Sequence, residues 1–101
     1  MKKIALAVFM TSLSFMAGSA VAGSGNLACS DGFRKVATYP NSIKCKNAGE
    51  GYSKESIAFN TARLMQYRAD CNAHMGTVRT KVWRKNGKWA YRVTFICANI
   101  T

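Results

Sequence analysis

The segment Val78–Ile100 constrains the fold more than any other part of the chain, because it predicts a β-hairpin that turns at Asn86–Gly87. Asn-Gly between two alternating segments favours a two-residue type I′ turn, in which both central residues adopt positive φ. With Lys85 opposite Lys88, the side chains divide cleanly between two faces. The predicted core face comprises Val78, Thr80, Val82, Arg84, Trp89, Tyr91, Val93, Phe95 and Cys97. The predicted outer face comprises Arg79, Lys81, Trp83, Lys85, Lys88, Ala90, Arg92, Thr94 and Ile96.

Residues 1–22 have the pattern of a secretory signal peptide. Lys2 and Lys3 precede the apolar run Ile4–Met16, and small residues at Ala20 and Ala22 favour cleavage after Ala22. The apolar run is shorter than the roughly 20 residues that span a bilayer, so a transmembrane segment is not expected. We therefore expect an exported protein, periplasmic or secreted, with one small disulfide-stabilised domain over residues 23–101.

All four cysteines, Cys29, Cys45, Cys71 and Cys97, follow the predicted cleavage site. An even number of cysteines in an exported chain indicates two disulfides. A metal site is disfavoured, because no Cys-x-x-Cys pair occurs and the chain has 1 histidine; no cofactor is predicted. Of the three possible connectivities we favour Cys29–Cys45, which closes a local loop, with Cys71–Cys97, which links the helix to the sheet.

The segment before the hairpin predicts two strands. Phe33–Tyr39 is the first, Ile43–Lys46 is a short return strand, and the glycine-rich Asn47–Gly51 is expected to be a loop. With a helix between these strands and the hairpin, the element order is ββαββ, or αββ with an irregular N-terminal arm. Either order gives an α+β fold, in which one helix covers one face of a small antiparallel sheet.

A helix is predicted from the N-cap Ser53 to His74, with Gly76 as its C-terminal stop and Glu55 in its first turn. On a helical wheel the residues expected to face the sheet are Ile57, Leu64, Cys71 and Met75, with Met65 and Ala58 on the flank. This phase directs Cys71 toward Cys97, which the hairpin pattern independently places on the core face.

Charge and one tryptophan define the candidate binding residues. Without Lys2 and Lys3, the 15 Lys and Arg residues become 13 against 4 acids, so the predicted domain carries +9. Such a balance favours an anionic partner. The candidate binding residues share the outer face of the hairpin; they are Arg79, Lys81, Trp83, Lys85, Lys88 and Arg92. An aromatic ring among cations is typical of interface anchors and of surfaces that bind anionic polymers.

These residues predict a non-enzymatic binding protein. Its partner would be an acidic protein surface, in an inhibitor, immunity or adaptor role, or an anionic polymer such as a polysaccharide, lipopolysaccharide or extracellular DNA. The alternative is a small secreted enzyme or toxin that uses His74 with Arg68 or Asp70. That alternative is disfavoured, because no partner base or nucleophile stands at a recognisable spacing. A membrane-perturbing role is weaker still, because the basic residues lie on a predicted sheet.

Overall fold

A computed structural model describes residues 23–99. The predicted signal peptide lies outside the described residues. The chain forms β1 Arg34–Tyr39, β2 Ser42–Tyr52, α1 Glu55–Arg68, β3 His74–Met75, β4 Arg79–Lys85 and β5 Lys88–Ala98. The five strands form one antiparallel sheet, and α1 packs on one of its faces, so the predicted α+β class is confirmed.

Strand β5 is the centre of the sheet. One edge of β5 pairs with β2, which in turn pairs with β1. Its other edge is shared, because β4 pairs with the first half of β5 and the short β3 pairs with Cys97 and Ala98. Every strand is therefore within two positions of β5, and the residues of β5 set the register for the whole sheet.

The turn between β4 and β5 has the predicted geometry. Asn86 and Gly87 adopt φ of 52° and 77°, and Lys85 lies opposite Lys88. Asn is among the few non-glycine residues that tolerate this left-handed region, and positive φ at both positions matches the right-handed twist of the flanking strands. The division of the hairpin side chains between two faces follows from this register.

The core lies between α1 and the facing side of β2 and β5. Ile43 and Cys45 of β2 and Val93 of β5 are fully buried, and Phe33 contacts Phe95 edge to face with ring centroids 5.2 Å apart. From α1 the buried residues are Ala58, Ala62 and Met65. The helix therefore packs through a mostly small-residue face.

Both predicted disulfides are present. Cys29–Cys45 joins the N-terminal arm to β2, with a Cα–Cα distance of 5.9 Å, and Cys71–Cys97 joins the segment after α1 to β5, with 6.2 Å. Cys29 and Cys71 also pair through their backbones in an isolated antiparallel β-bridge. This pairing and the two disulfides hold both non-strand segments against the sheet.

The helix is shorter than predicted at both ends. Lys54, which is extended, precedes its first turn instead of Ser53, and α1 ends at Arg68 instead of His74. Ala69 leaves the helical conformation, and the Ser30 hydroxyl donates to the Arg68 carbonyl (2.9 Å) while it accepts from the Asp70 N–H (3.0 Å). These long-range hydrogen bonds replace the next helical turn, so Cys71 lies after the helix and His74 lies on β3.

The predicted helix phase is displaced: Ala58 and Met65, expected on the flank, are buried together with Ala62. Ile57 and Leu64 are 43% and 50% exposed, whereas the alanines of the neighbouring face are buried. The predicted phase follows the largest apolar side chains of the helix. In the structure the helix instead packs on the sheet through the face whose small side chains allow a close approach.

Strand β2 is longer than predicted, because Asn47–Gly51, the expected loop, continues it to Tyr52. The Asn47 side chain donates to the Gly32 carbonyl (2.7 Å) and accepts from the Tyr91 hydroxyl. Gly49 is required by close packing, since a Cβ there would lie 2.7 Å from the Tyr91 ring. These features keep a glycine-rich segment extended.

Candidate anion-binding face

The helix-free face of the sheet carries all six residues predicted to bind. Side chains alternate along a strand, and cross-strand partners share a face. Arg79 lies opposite Thr94, Lys81 opposite Arg92, and Lys85 opposite Lys88. Their side chains project away from the core, since the alternate residues of β5 (among them Val93) are the ones covered by the helix.

Three further cations join this face from β1 and β2. Lys44 pairs with Ile96, Lys46 pairs with Thr94, and Arg34 pairs with Lys46 across the β1–β2 edge. Arg34, Lys46, Thr94 and Arg79 thus form one row across four strands. Sequence reasoning missed these three. The alternation of Lys44 and Lys46 with apolar neighbours indicates that both lysines lie on the same outer face of a strand. The sequence does not indicate that this strand, β2, pairs with β5.

We call this surface the basic face. Its charged and aromatic residues are Arg34, Lys44, Lys46, Glu50, Arg79, Lys81, Trp83, Lys85, Lys88 and Arg92. Eight cations and one acid give it +7, which leaves only +2 of the +9 of residues 23–101 for the rest of the domain. The positive charge is therefore concentrated on one side of the sheet.

Trp83 lies on the outer face, as predicted, and is partly buried there. The Lys81 ammonium lies 5.5 Å and the Arg92 guanidinium 5.8 Å from the ring centroid. Both are cation–π distances. The cross-strand neighbour Ala90 is 1% exposed, so the indole and the long stems around it cover the sheet here.

A depression of about 370 Å³ lies beside Trp83. Small residues of β2 and β5 (Ala48, Gly49 and Ala90) line it together with Arg34, Lys46, Arg92, Lys85 and Glu50. Lys85 donates to Glu50 at 3.1 Å, and this is the one ion pair among residues 23–99. A concave site with an aromatic wall, several cations and one carboxylate can bind a small charged group and orient it.

The alternative site is not assembled as one cluster. Arg68, the last residue of α1, and Asp70 line another depression with Asp31, while His74 lies on β3 opposite Ala98. Within the described part of the chain, no hydrogen bond or ion pair joins His74 to Arg68 or Asp70. The Asp70 carboxylate accepts from the Cys71 N–H at 2.8 Å. That the protein is not an enzyme stays a prediction.

The ionisable groups of the basic face are exposed or partly exposed. The one resolved pKa shift belongs to Tyr91, on the core side: burial raises the pKa of its hydroxyl, and neighbouring Tyr52 adds to the increase.

Over residues 23–99 no cluster of three His, Cys, Asp or Glu side chains could hold a metal ion. No helix in the same range is long and apolar enough to cross a membrane. The charged groups that line the depression on the basic face are Arg34, Lys46, Lys85, Arg92 and Glu50.

Known proteins give no direct guide to the partner of this face. No family model matches the chain, and no curated protein or solved structure is significantly similar to it. Its function is therefore inferred from the side chains that the fold brings together.

Proposed function

We propose that this protein is an exported binding protein whose basic face holds an anionic polymer in the periplasm or outside the cell. The carrying observation is the concentration of eight cations against one acid on the uncovered face of the sheet. The two disulfides support an oxidising compartment, in which such bonds persist.

The arrangement of the cations favours a polymer over a single compact anion. Along each strand, same-face cations are about 7 Å apart, and neighbouring strands are about 4.8 Å apart. Lys44 and Lys46 on β2 and Arg79 and Lys81 on β4 repeat this spacing on both sides of β5. A linear chain with regularly repeated anionic groups can contact several of these cations at once and release its counterions.

An acidic protein is the second candidate partner, and the partial burial of Trp83 argues against it. Interface hot spots are enriched in Trp, Tyr and Arg, and they are side chains that become fully desolvated in well-packed pockets. Trp83 is packed under two cations and cannot project in this way without losing both contacts. We therefore rank the polymer first.

The test compares two matched triple variants of the disulfide-bonded protein, residues 23–101. One variant is Lys46→Gln, Lys81→Gln and Arg92→Gln on the basic face. The other is Lys35→Gln, Lys54→Gln and Arg68→Gln, which removes the same charge elsewhere. Binding to polygalacturonate, lipopolysaccharide and single-stranded DNA is titrated by calorimetry at several salt concentrations.

For at least one polymer we expect the basic-face triple to lose on the order of 100-fold in affinity, and its log–log salt slope to fall by about 2. The control triple should lose only a few-fold. Equal losses in both triples would mean that net charge alone drives binding. Absence of polymer binding, with an acidic protein captured at high salt, would favour the second candidate.

A further inference from the structure

The depression beside Trp83 is not uniformly cationic. Lys46 and Glu50 lie on the same strand, four residues apart, which corresponds to about 13 Å. Arg34, Lys46 and Arg92 line the depression together with Trp83, while Glu50 and Lys85 bring an ion pair to it. A ligand in this depression therefore meets positive charge and a carboxylate in different places.

Glu50 is unexpected on a surface that only collects anions, because a carboxylate repels them. Its side chain is 63% exposed, and Lys85 contacts one of its two oxygens. An ionised carboxylate only accepts hydrogen bonds, and its two oxygens offer about four acceptor sites. Glu50 can therefore contribute to binding only if the ligand has hydrogen-bond donors as well as anionic groups.

Because Trp83 lines the depression, a ligand that fits there also needs an apolar surface. Its indole forms one wall, and the floor beside it consists of Ala48, Gly49 and Ala90. Lys81 and Arg92 both come from the row next to Trp83 and stand over its ring, so the flat face open to a stacked base is reduced. The part of the indole that lines the depression, with the small residues beside it, offers an apolar contact to C–H groups, which a sugar ring has and a polyphosphate lacks.

We propose that the depression binds an acidic sugar unit of the polymer. The acid group of the sugar is placed toward Arg34, Lys46 and Arg92, its ring packs against Trp83, and its hydroxyls donate to Glu50. The volume of about 370 Å³ is within the range of small-ligand pockets, about 300–1,000 Å³. This assignment rests on the proposed function and narrows it to acidic polysaccharides.

The test uses Glu50→Gln, which keeps the size of the side chain but removes its charge. Glu55→Gln is the matched control, since it makes the same change in the first turn of α1, away from the basic face. The probes are a galacturonate oligomer, an oligothymidylate and a linear inorganic polyphosphate, all of equal charge. The readout is the ratio of the affinity for galacturonate to that for polyphosphate, at one salt concentration.

The wild-type protein should bind the galacturonate oligomer most tightly. Glu50→Gln should lower the galacturonate-to-polyphosphate ratio on the order of tenfold, because it weakens the acceptor for sugar hydroxyls, which polyphosphate lacks, whereas relief of charge repulsion acts on both probes. Glu55→Gln should leave the ratio within twofold. The proposal is overturned by an unchanged ratio in Glu50→Gln, or by tighter wild-type binding of oligothymidylate or polyphosphate.

The experiments distinguish failure of the sugar proposal from failure of the polymer-binding proposal. If the basic-face triple still loses polymer binding while the ratio is unchanged in Glu50→Gln, the sugar assignment is wrong and the polymer-binding function stands. If the wild-type protein binds none of the three probes and none of the larger polymers, both are wrong.

Discussion

The two faces of the sheet use the same strands for opposite purposes. On the helix side, β2 and β5 present Ile43, Cys45 and Val93, which are fully buried. One disulfide links β2 to the N-terminal arm, and the other links β5 to the segment after α1. On the other side, the same strands present Lys44 and Lys46, which are partly exposed, and Arg92, which is exposed. One side is filled and cross-linked, and the other is open and charged.

This difference separates what folding requires from what it does not. Apolar burial and the disulfides stabilise the helix side, because a domain of about 80 residues has a thin core and gains from covalent links. The cations of the basic face repel one another across adjacent strands, with only Glu50 to offset them. Stability does not account for eight cations there, whereas the proposed binding of an anionic polymer would.

The largest effect on stability is expected on the helix side, from removal of the disulfide between Cys71 and Cys97. The double variant Cys71→Ala, Cys97→Ala opens a loop with a sequence separation of 26. It should lose about 3.5 kcal/mol of unfolding free energy by the loop-closure estimate. Urea unfolding followed by circular dichroism measures this loss. A loss below 1 kcal/mol would mean that the segment after α1 is held without the bond.

A smaller effect is expected from Tyr91, whose hydroxyl donates to Asn47 from the core side of β5. Tyr91→Phe removes this hydrogen bond and should cost about 1 kcal/mol. Burial raises the pKa of the Tyr91 hydroxyl above its ordinary 10.0, so the folded state holds this proton more tightly than the unfolded state.

The stabilisation linked to that proton is complete below pH 10 and is lost as the pH rises through the folded-state pKa. Wild-type stability should therefore fall more steeply above pH 10 than that of Tyr91→Phe. Urea midpoints measured at several pH values for both proteins test this. Parallel curves would show that Tyr91 does not contribute to the alkaline loss.

The parts of the fold that could be predicted from the sequence are those fixed by neighbouring residues. Asn86–Gly87 determines its turn within four residues, and the hairpin alternation then places the six candidate binding residues on one face, as the register of the structure does. The same alternation placed Cys97 on the core face, and its predicted disulfide with Cys71 is present, although Cys71 was expected on a helix that ends before it.

The errors arose where distant residues decide the local structure. Ser30 ends α1 through hydrogen bonds to residues about 40 positions away in the chain. The sequence near Arg68 contains no helix-stop residue that would predict this end. Similarly, Arg34, Lys44 and Lys46 join the basic face only because β2 pairs with β5 across the intervening helix. The depression at Trp83 depends on that pairing, so the hairpin alone could not predict it.

The smallest effect on stability is expected from the basic face itself. The triple variant Lys46→Gln, Lys81→Gln, Arg92→Gln removes cations that lie in two adjacent rows, Lys46 with Thr94 and Lys81 with Arg92. Relief of like-charge repulsion favours the folded state, whereas loss of the contacts of Lys81 and Arg92 with Trp83 opposes it. Each contribution is about 0.5 kcal/mol at exposed sites, so the net change should stay within about 0.5 kcal/mol in low salt. Urea midpoints at low and high salt measure it, and a loss of 2 kcal/mol or more would make these cations part of the folded scaffold. Unchanged stability together with lost polymer binding would instead establish that the open side of the sheet is used for binding and the helix side for folding.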